Sequence, residues 1–296
     1  MTSPSAFATE PAVPGLDPRL AHDLARAAMA RQGAGAVLRH LLAHDEGDLF
    51  GEEVIARVRG MIADVARQLA AGAEDAASQK IAAVLAEAPA FLGHVHALAL
   101  EWRATTRLQA TAAVPPVLSP LVQALVASTW ADTADTAMRF LAAQARFARN
   151  AARMELPLAE LPAEILHAAL GAIPAEARAK AAMGYDEGAT RIALAARLVV
   201  AMGAGAVAAL APDHAGYALF ASALAAATGR GRDETLLALQ DPDGVQAAVM
   251  LRAARQPLAA IATALCVTHP DAPVPPLATV SPEAARALLL GPGGAA

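Results

Sequence analysis

Cysteine occurs once in the 296 residues, at Cys266, so an intramolecular disulfide and a cysteine-based zinc framework are both excluded. Aromatic residues make up only 3% of the chain, so its core cannot be built from stacked rings. Alternating runs of β-branched and aromatic residues, the mark of strands, are almost missing. A basic excess is also missing. The net charge is −5, and proteins that bind nucleic acid generally carry the positive charge that displaces counterions from phosphates. There is no Walker lysine motif, no G-x-S-x-G elbow and no H-E-x-x-H pair. The "GAGA" stretches at 33–36 and 203–206 lack the third glycine and the strand context of a dinucleotide fingerprint, which leaves helix packing as their expected role. The opening "MTSPSAFATEPAVPG" has neither a basic nor an apolar segment of a secretory signal, so a cytoplasmic protein is expected.

What the chain has is alanine, at more than a quarter of all positions. Alanine loses no side-chain entropy in a helix, so the expected fold is all-α with a core of small aliphatic side chains. "DLFGEEVIARVRGMIADVARQLAAG" carries Phe50, Val54, Val58, Met61, Ile62, Val65 and Leu69 at spacings of three and four, one stripe of an amphipathic helix. Asp17 before Pro18, and Ser119 before Pro120, predict capped helix starts. "LDPRLAHDLARAAMARQ" and "GAVLRHLLAHDEG" read as two successive helices. Residues 1–14 read as a disordered lead-in, 15–111 as an N-terminal helical region, 116–266 as a C-terminal one, and 267–296 as a Pro-rich tail with a short helix. The break at 111–116 falls in "TAAVPPVLSP", which no helix crosses.

"IALAARLVVAMGAGAVAALAP" (192–212) approaches the roughly 20 apolar residues of a membrane span. Its alanines and glycines insert weakly and Arg197 interrupts it, so a buried core helix is expected, with Gly203 and Gly205 admitting a neighbouring backbone. Proline-introduced helices recur at "LSPLVQALV", "LPAEILHAAL" and "QPLAAIATAL" without a constant period, which predicts irregular stacking of antiparallel helical hairpins. Together with "RMELPLAELPAEILHAALGAI", the stretch "YALFASALAAATGRGRDETLLAL" through "VMLRAARQP" resembles an uncharacterised family of all-helical, HEAT-like domains of alphaproteobacteria. The resemblance covers about 130–266. It implies a HEAT-like fold in the C-terminal half and brings no activity, cofactor or site residue.

Three constellations carry potential chemistry. In "GHVHALALEW", His94 and His96 are two apart, which on a helix turns them about 200° from each other and prevents a shared metal. One half-buried and one exposed histidine are expected there. In "RHLLAHDEGD", His40 and His44 share a helix face at i,i+4, a spacing that brings two imidazoles onto one ion, with Asp45 or Glu46 as a third ligand. Arg139, Arg146, Arg149 and Arg153 form one stripe beside Phe140, Phe147 and Met154. The stripe is a solvated face able to fork onto the carboxylates of an acidic protein partner. Of the remaining candidates, His167 reads as a partly buried, hydrogen-bonded histidine, Cys266 as a buried small hydrophobe, and "GYDEG" as a turn. The chain therefore reads as a non-enzymatic scaffold or regulatory protein-interaction module without cofactor, nucleic acid or membrane. The rival reading is a helical metal- or ligand-binding enzyme or sensor using His40 and His44.

Overall fold

The computed structural model describes residues 17–43, 52–71 and 75–290. Among these there is no strand, and fourteen α-helices follow one another. They are α1 (Pro18–Ala43), α2 (Glu52–Ala70), α3 (Asp75–Glu87), α4 (Pro89–Ala112), α5 (Pro120–Val126), α6 (Ala131–Ala152) and α7 (Ala163–Leu170). Then come α8 (Ala175–Ala181), α9 (Arg191–Met202), α10 (Pro212–Thr228), α11 (Arg232–Ala238), α12 (Val245–Ala253), α13 (Leu258–Thr268) and α14 (Pro282–Leu290). The fold is all-helical, as the alanine content requires. The expected lead-in at 1–14 lies outside the described residues.

The organising element is α4. It packs against α2, α3, α7, α10, α11 and α13, and from Phe91 to Glu101 only Gly93 is not buried. A helix enclosed on all sides has no polar face to spend, which is why "FLGHVHALALE" is apolar almost throughout. Two apolar cores flank it. One joins Val54, Val58, Met61 and Val65 of α2 to Phe91 and Val95 of α4 and to Ile165 and Leu166 of α7. The other joins Leu108 of α4 to Leu194 and Leu198 of α9, Leu219 and Leu224 of α10, and Val249 and Leu251 of α12. Each core draws on residues from both sides of the Pro-rich break.

The predicted caps form. The Ser119 hydroxyl accepts from the Val122 amide at 3.4 Å, with Pro120 at the first helical position. The same hydroxyl donates to the Ala215 carbonyl at 2.7 Å. That carbonyl lies beside a break in α10, where Gly216 takes φ 72° and ψ 156°. A Cβ at Gly216 would stand 3.0 Å from Ser119 Cβ, so the turn needs glycine for its dihedrals and for the close approach.

Several expectations are corrected. The first two predicted helices are one, because α1 runs from Pro18 to Ala43 straight through Gly33 and Gly35; nothing lies within 4 Å of a Cβ built at either. Those glycines therefore serve no packing contact. Residues 191–210 are long and apolar enough to cross a membrane, but most of the segment is not buried, so it is no core helix. Leu194, Ala195, Leu198 and Val199 face the core while Ala196, Arg197 and Val200 face outward. The helix stops at Gly203 (φ 50°), where Gly203–Leu210 continues as a 3₁₀ turn, and no backbone approaches Gly203 or Gly205. Small residues make such exposure cheap, which is why apolar content overstated burial. Cys266 and His167 are exposed, each on the outward side of its helix.

Candidate functional site

The enclosure of α4 makes its polar residues conspicuous. His94 and His96 are both buried, at 1% and 4% exposure, which corrects the expected half-buried and exposed pair. Opposite faces of a helix are both interior when the helix is surrounded. They remain apart, as the helical period requires. His94 Nδ1 meets Asp233 Oδ2 at 2.7 Å; since a carboxylate only accepts, this nitrogen carries the proton. His94 Nε2 is buried and finds no hydrogen-bond partner among the described residues. Burial, with Arg103 adding to it, lowers the His96 pKa to about 4, so this imidazole is neutral at pH 7.

Five residues beyond His96 lies Glu101, with no exposed surface at all. Arg191 of α9 forks onto it at 2.6 and 2.8 Å, and Arg232 of α11 forks onto it at 2.8 and 3.0 Å. Burial alone would raise the Glu101 pKa, but the two guanidinium groups overcome that and hold it far below the usual carboxylate range. The excess positive charge finds other acceptors. Arg191 also donates to Gln144 Oε1 and lies 3.8 Å from the centre of the Phe147 ring, and Arg232 donates to the Ser222 hydroxyl. Sealed from solvent, Glu101 cannot exchange a proton with a substrate. The triad is a clamp that fixes α9 and α11 to α4.

The next two turns of α4 open onto a cleft of about 490 Å³. Arg103, Ala104, Arg107 and Leu108 form its floor, and Tyr217, Gln240 and His269 reach it from α10, from the turn after α11 and from the end of α13. Arg103 donates to Gln240 Oε1 at 2.9 Å, and Gln240 Nε2 donates to the Tyr217 hydroxyl oxygen at 3.2 Å. His269 closes the far wall. Its Nε2 donates to the Leu239 carbonyl at 3.1 Å, because a carbonyl only accepts, and its Nδ1 meets the Thr268 hydroxyl at 2.8 Å. Burial holds the His269 pKa below its ordinary value.

The residues singled out from sequence lie elsewhere. Arg139, Arg146, Arg149 and Arg153 are all exposed along α6, while Phe140 and Phe147 beside them are buried. Arg146 pairs with Glu160 at 3.0 Å, and the other three arginines have no carboxylate within ion-pair distance among the described residues. His40 is exposed in the last turn of α1, whereas His44, Asp45 and Glu46 lie outside the described residues. No group of three or more His, Cys, Asp or Glu side chains gathers in metal-binding geometry among the described residues. "GYDEG" is a turn held by Tyr185, which donates to the Leu161 carbonyl at 2.7 Å, and by Asp186, which caps the Gly188 amide at 2.9 Å.

The buried triad and the cleft are what sequence reading missed. A lone glutamate in the apolar run of α4 was the available signal for the triad. The cleft had none, since its walls come from four separated segments. Comparisons with protein-family models, with curated proteins and with solved structures returned no match to this chain.

Proposed function

We propose that this protein is a non-enzymatic scaffold or regulatory module of the cytoplasm that docks the acidic surface of a partner protein against α6. The observation that carries the reading is a charge imbalance in one place. In a chain with net charge −5, Arg139, Arg149 and Arg153 stand exposed on one side of α6 with no carboxylate to answer them among the described residues. Guanidinium groups match carboxylates with two parallel hydrogen bonds, so such a row favours an acidic protein surface.

An apolar side chain also stands exposed at the start of the same helix. Trp130, at the start of α6, is 78% exposed, and a shallow groove between α6 and α9 is lined by Asp132, Thr133, Thr136, Ala196, Arg197 and Val200. Tryptophan and arginine dominate interface hot spots because one buries area and the other satisfies charge. Hairpin stacking of a HEAT-like kind in the C-terminal half belongs to the same proposal. Its support is the run of short, proline-opened helices α5, α7, α8, α10 and α13.

The test is affinity capture from native cells with the unaltered chain and with an Arg139→Glu/Arg149→Glu variant of equal melting temperature. An acidic protein retained by the first and lost by the second is the expected result, with retention weakening as salt rises. Identical captured sets would overturn the reading.

A further inference from the structure

We infer that the cleft beside Arg103 is a binding site for a small monocarboxylate with an apolar body. The cleft lies apart from the α6 face, and its chemistry is set by which of its groups can donate and which can accept. A guanidinium only donates, so the Gln240 side chain must turn its oxygen to Arg103 and its amide nitrogen to Tyr217. The Tyr217 oxygen is thereby an acceptor from Gln240, and its own proton has no acceptor among the described residues. Tyr217 is 5% exposed and its ring packs edge-on to Phe220 at 6.0 Å, so the hydroxyl is held in place at the cleft wall. Arg103 is half-buried beside it and has no carboxylate within ion-pair distance among the described residues. Two donors of fixed position, one of them cationic, thus stand at the cleft, the Arg103 guanidinium without a carboxylate in ion-pair distance and the Tyr217 proton without an acceptor among the described residues.

The remaining lining sets the class of ligand. Ala104, Leu108, Leu239, Pro242, Val267 and Ala272 are apolar, and a cleft of this volume falls within the range of small-molecule sites. Two carboxylates also line it. Asp241 is already engaged, accepting from the Gln246 amide at 3.1 Å at the start of α12. Asp271 is 96% exposed and meets Arg107 at 3.5 Å, a loose rim pair. The buried Asp241 in the wall and Asp271 at the rim disfavour a doubly charged phosphate and leave a single carboxylate as the matching anion. Its oxygens take the Arg103 fork and the Tyr217 proton while its hydrocarbon part lies along α4.

The test is calorimetric titration of the full chain with octanoate, octanol and inorganic phosphate. Saturable one-to-one binding of octanoate is expected, with octanol at least tenfold weaker and phosphate unable to displace octanoate. Tyr217→Phe and Arg103→Gln should each weaken octanoate at least tenfold, and Arg149→Glu should leave it unchanged. A variant that fails to melt cooperatively is replaced by Arg107→Gln at the exposed rim, expected to weaken octanoate severalfold. Octanol binding as tightly as octanoate, displacement by phosphate, or no saturable heat up to millimolar octanoate would each overturn the proposal.

Discussion

Arg191 and Arg149 are the same side chain in opposite circumstances. Arg191 is 3% exposed, forked onto a buried glutamate and stacked on Phe147, whereas Arg149 stands in water on α6 with no carboxylate in reach among the described residues. The difference is one of desolvation. A buried charge that loses its partner is stranded in low dielectric, while an exposed one simply returns to water. The interior cluster therefore governs whether the chain folds, and the surface row is free to govern what it meets.

The sharpest way to break this comparison is Glu101→Ala, which strands two guanidinium groups. A loss of about 3–5 kcal/mol in urea unfolding is expected, the range for removing one partner of a buried ion pair. A loss near that of a surface change would mean that the triad is hydrated and that the contrast is false. Acid should produce the next largest effect. His96, lowered to about 4, is neutral in the fold but takes up a proton near pH 6.5 once unfolded. Its contribution is complete above pH 6.5 and disappears as pH falls toward 4, about 3 kcal/mol in total, with the depressed His269 acting in the same direction. Glu101 also titrates below its unfolded value, so its contribution is lost only on further acidification, below about pH 4.3. Urea midpoints measured from pH 7.5 to 4 should hold to about pH 6.5 and then fall, and His96→Leu should flatten that fall; an unchanged slope would place the titration elsewhere.

A smaller loss is expected from Gly216→Ala, about 1–3 kcal/mol, because alanine resists both the dihedrals and the approach of Ser119. Thermal melting checks it, and a neutral result would mean that α10 straightens without penalty. The smallest effect belongs to Arg139→Glu/Arg149→Glu, within about 0.5 kcal/mol of the parent. If that variant melted far below the parent, the row would be structural and the contrast with the interior would collapse.

Much of the fold was legible because it is local. The stripe of α2 and the Ser119–Pro120 start follow from neighbours a few positions apart. The all-helical class follows from alanine content in the same way. Burial was less legible. The exposed Cys266 and His167, the outward half of residues 191–210 and the enclosed stretch 91–101 of α4 all depend on which helices pack where, and small apolar side chains tolerate either side of the boundary. The triad was illegible for a different reason. Glu101 meets partners 90 and 131 residues further along, and nothing near Arg191 or Arg232 in sequence announces a buried carboxylate. The α6 row could be read in full because a solvated stripe needs no partner to define it.

The position of α1 has a consequence for how the chain is made. Leu20 is buried in the same core as Val249 and Leu251, and Arg31 donates to Gln246 across 215 residues of sequence. Helix α1 thus has its permanent seat on a helix synthesised much later, 215 residues further along the chain at that contact. At about 5–20 residues per second, it waits on the order of ten seconds or more with that apolar edge uncovered. Until α12 emerges, provisional contacts with α4, against which α1 also packs, are the cover this topology offers that edge.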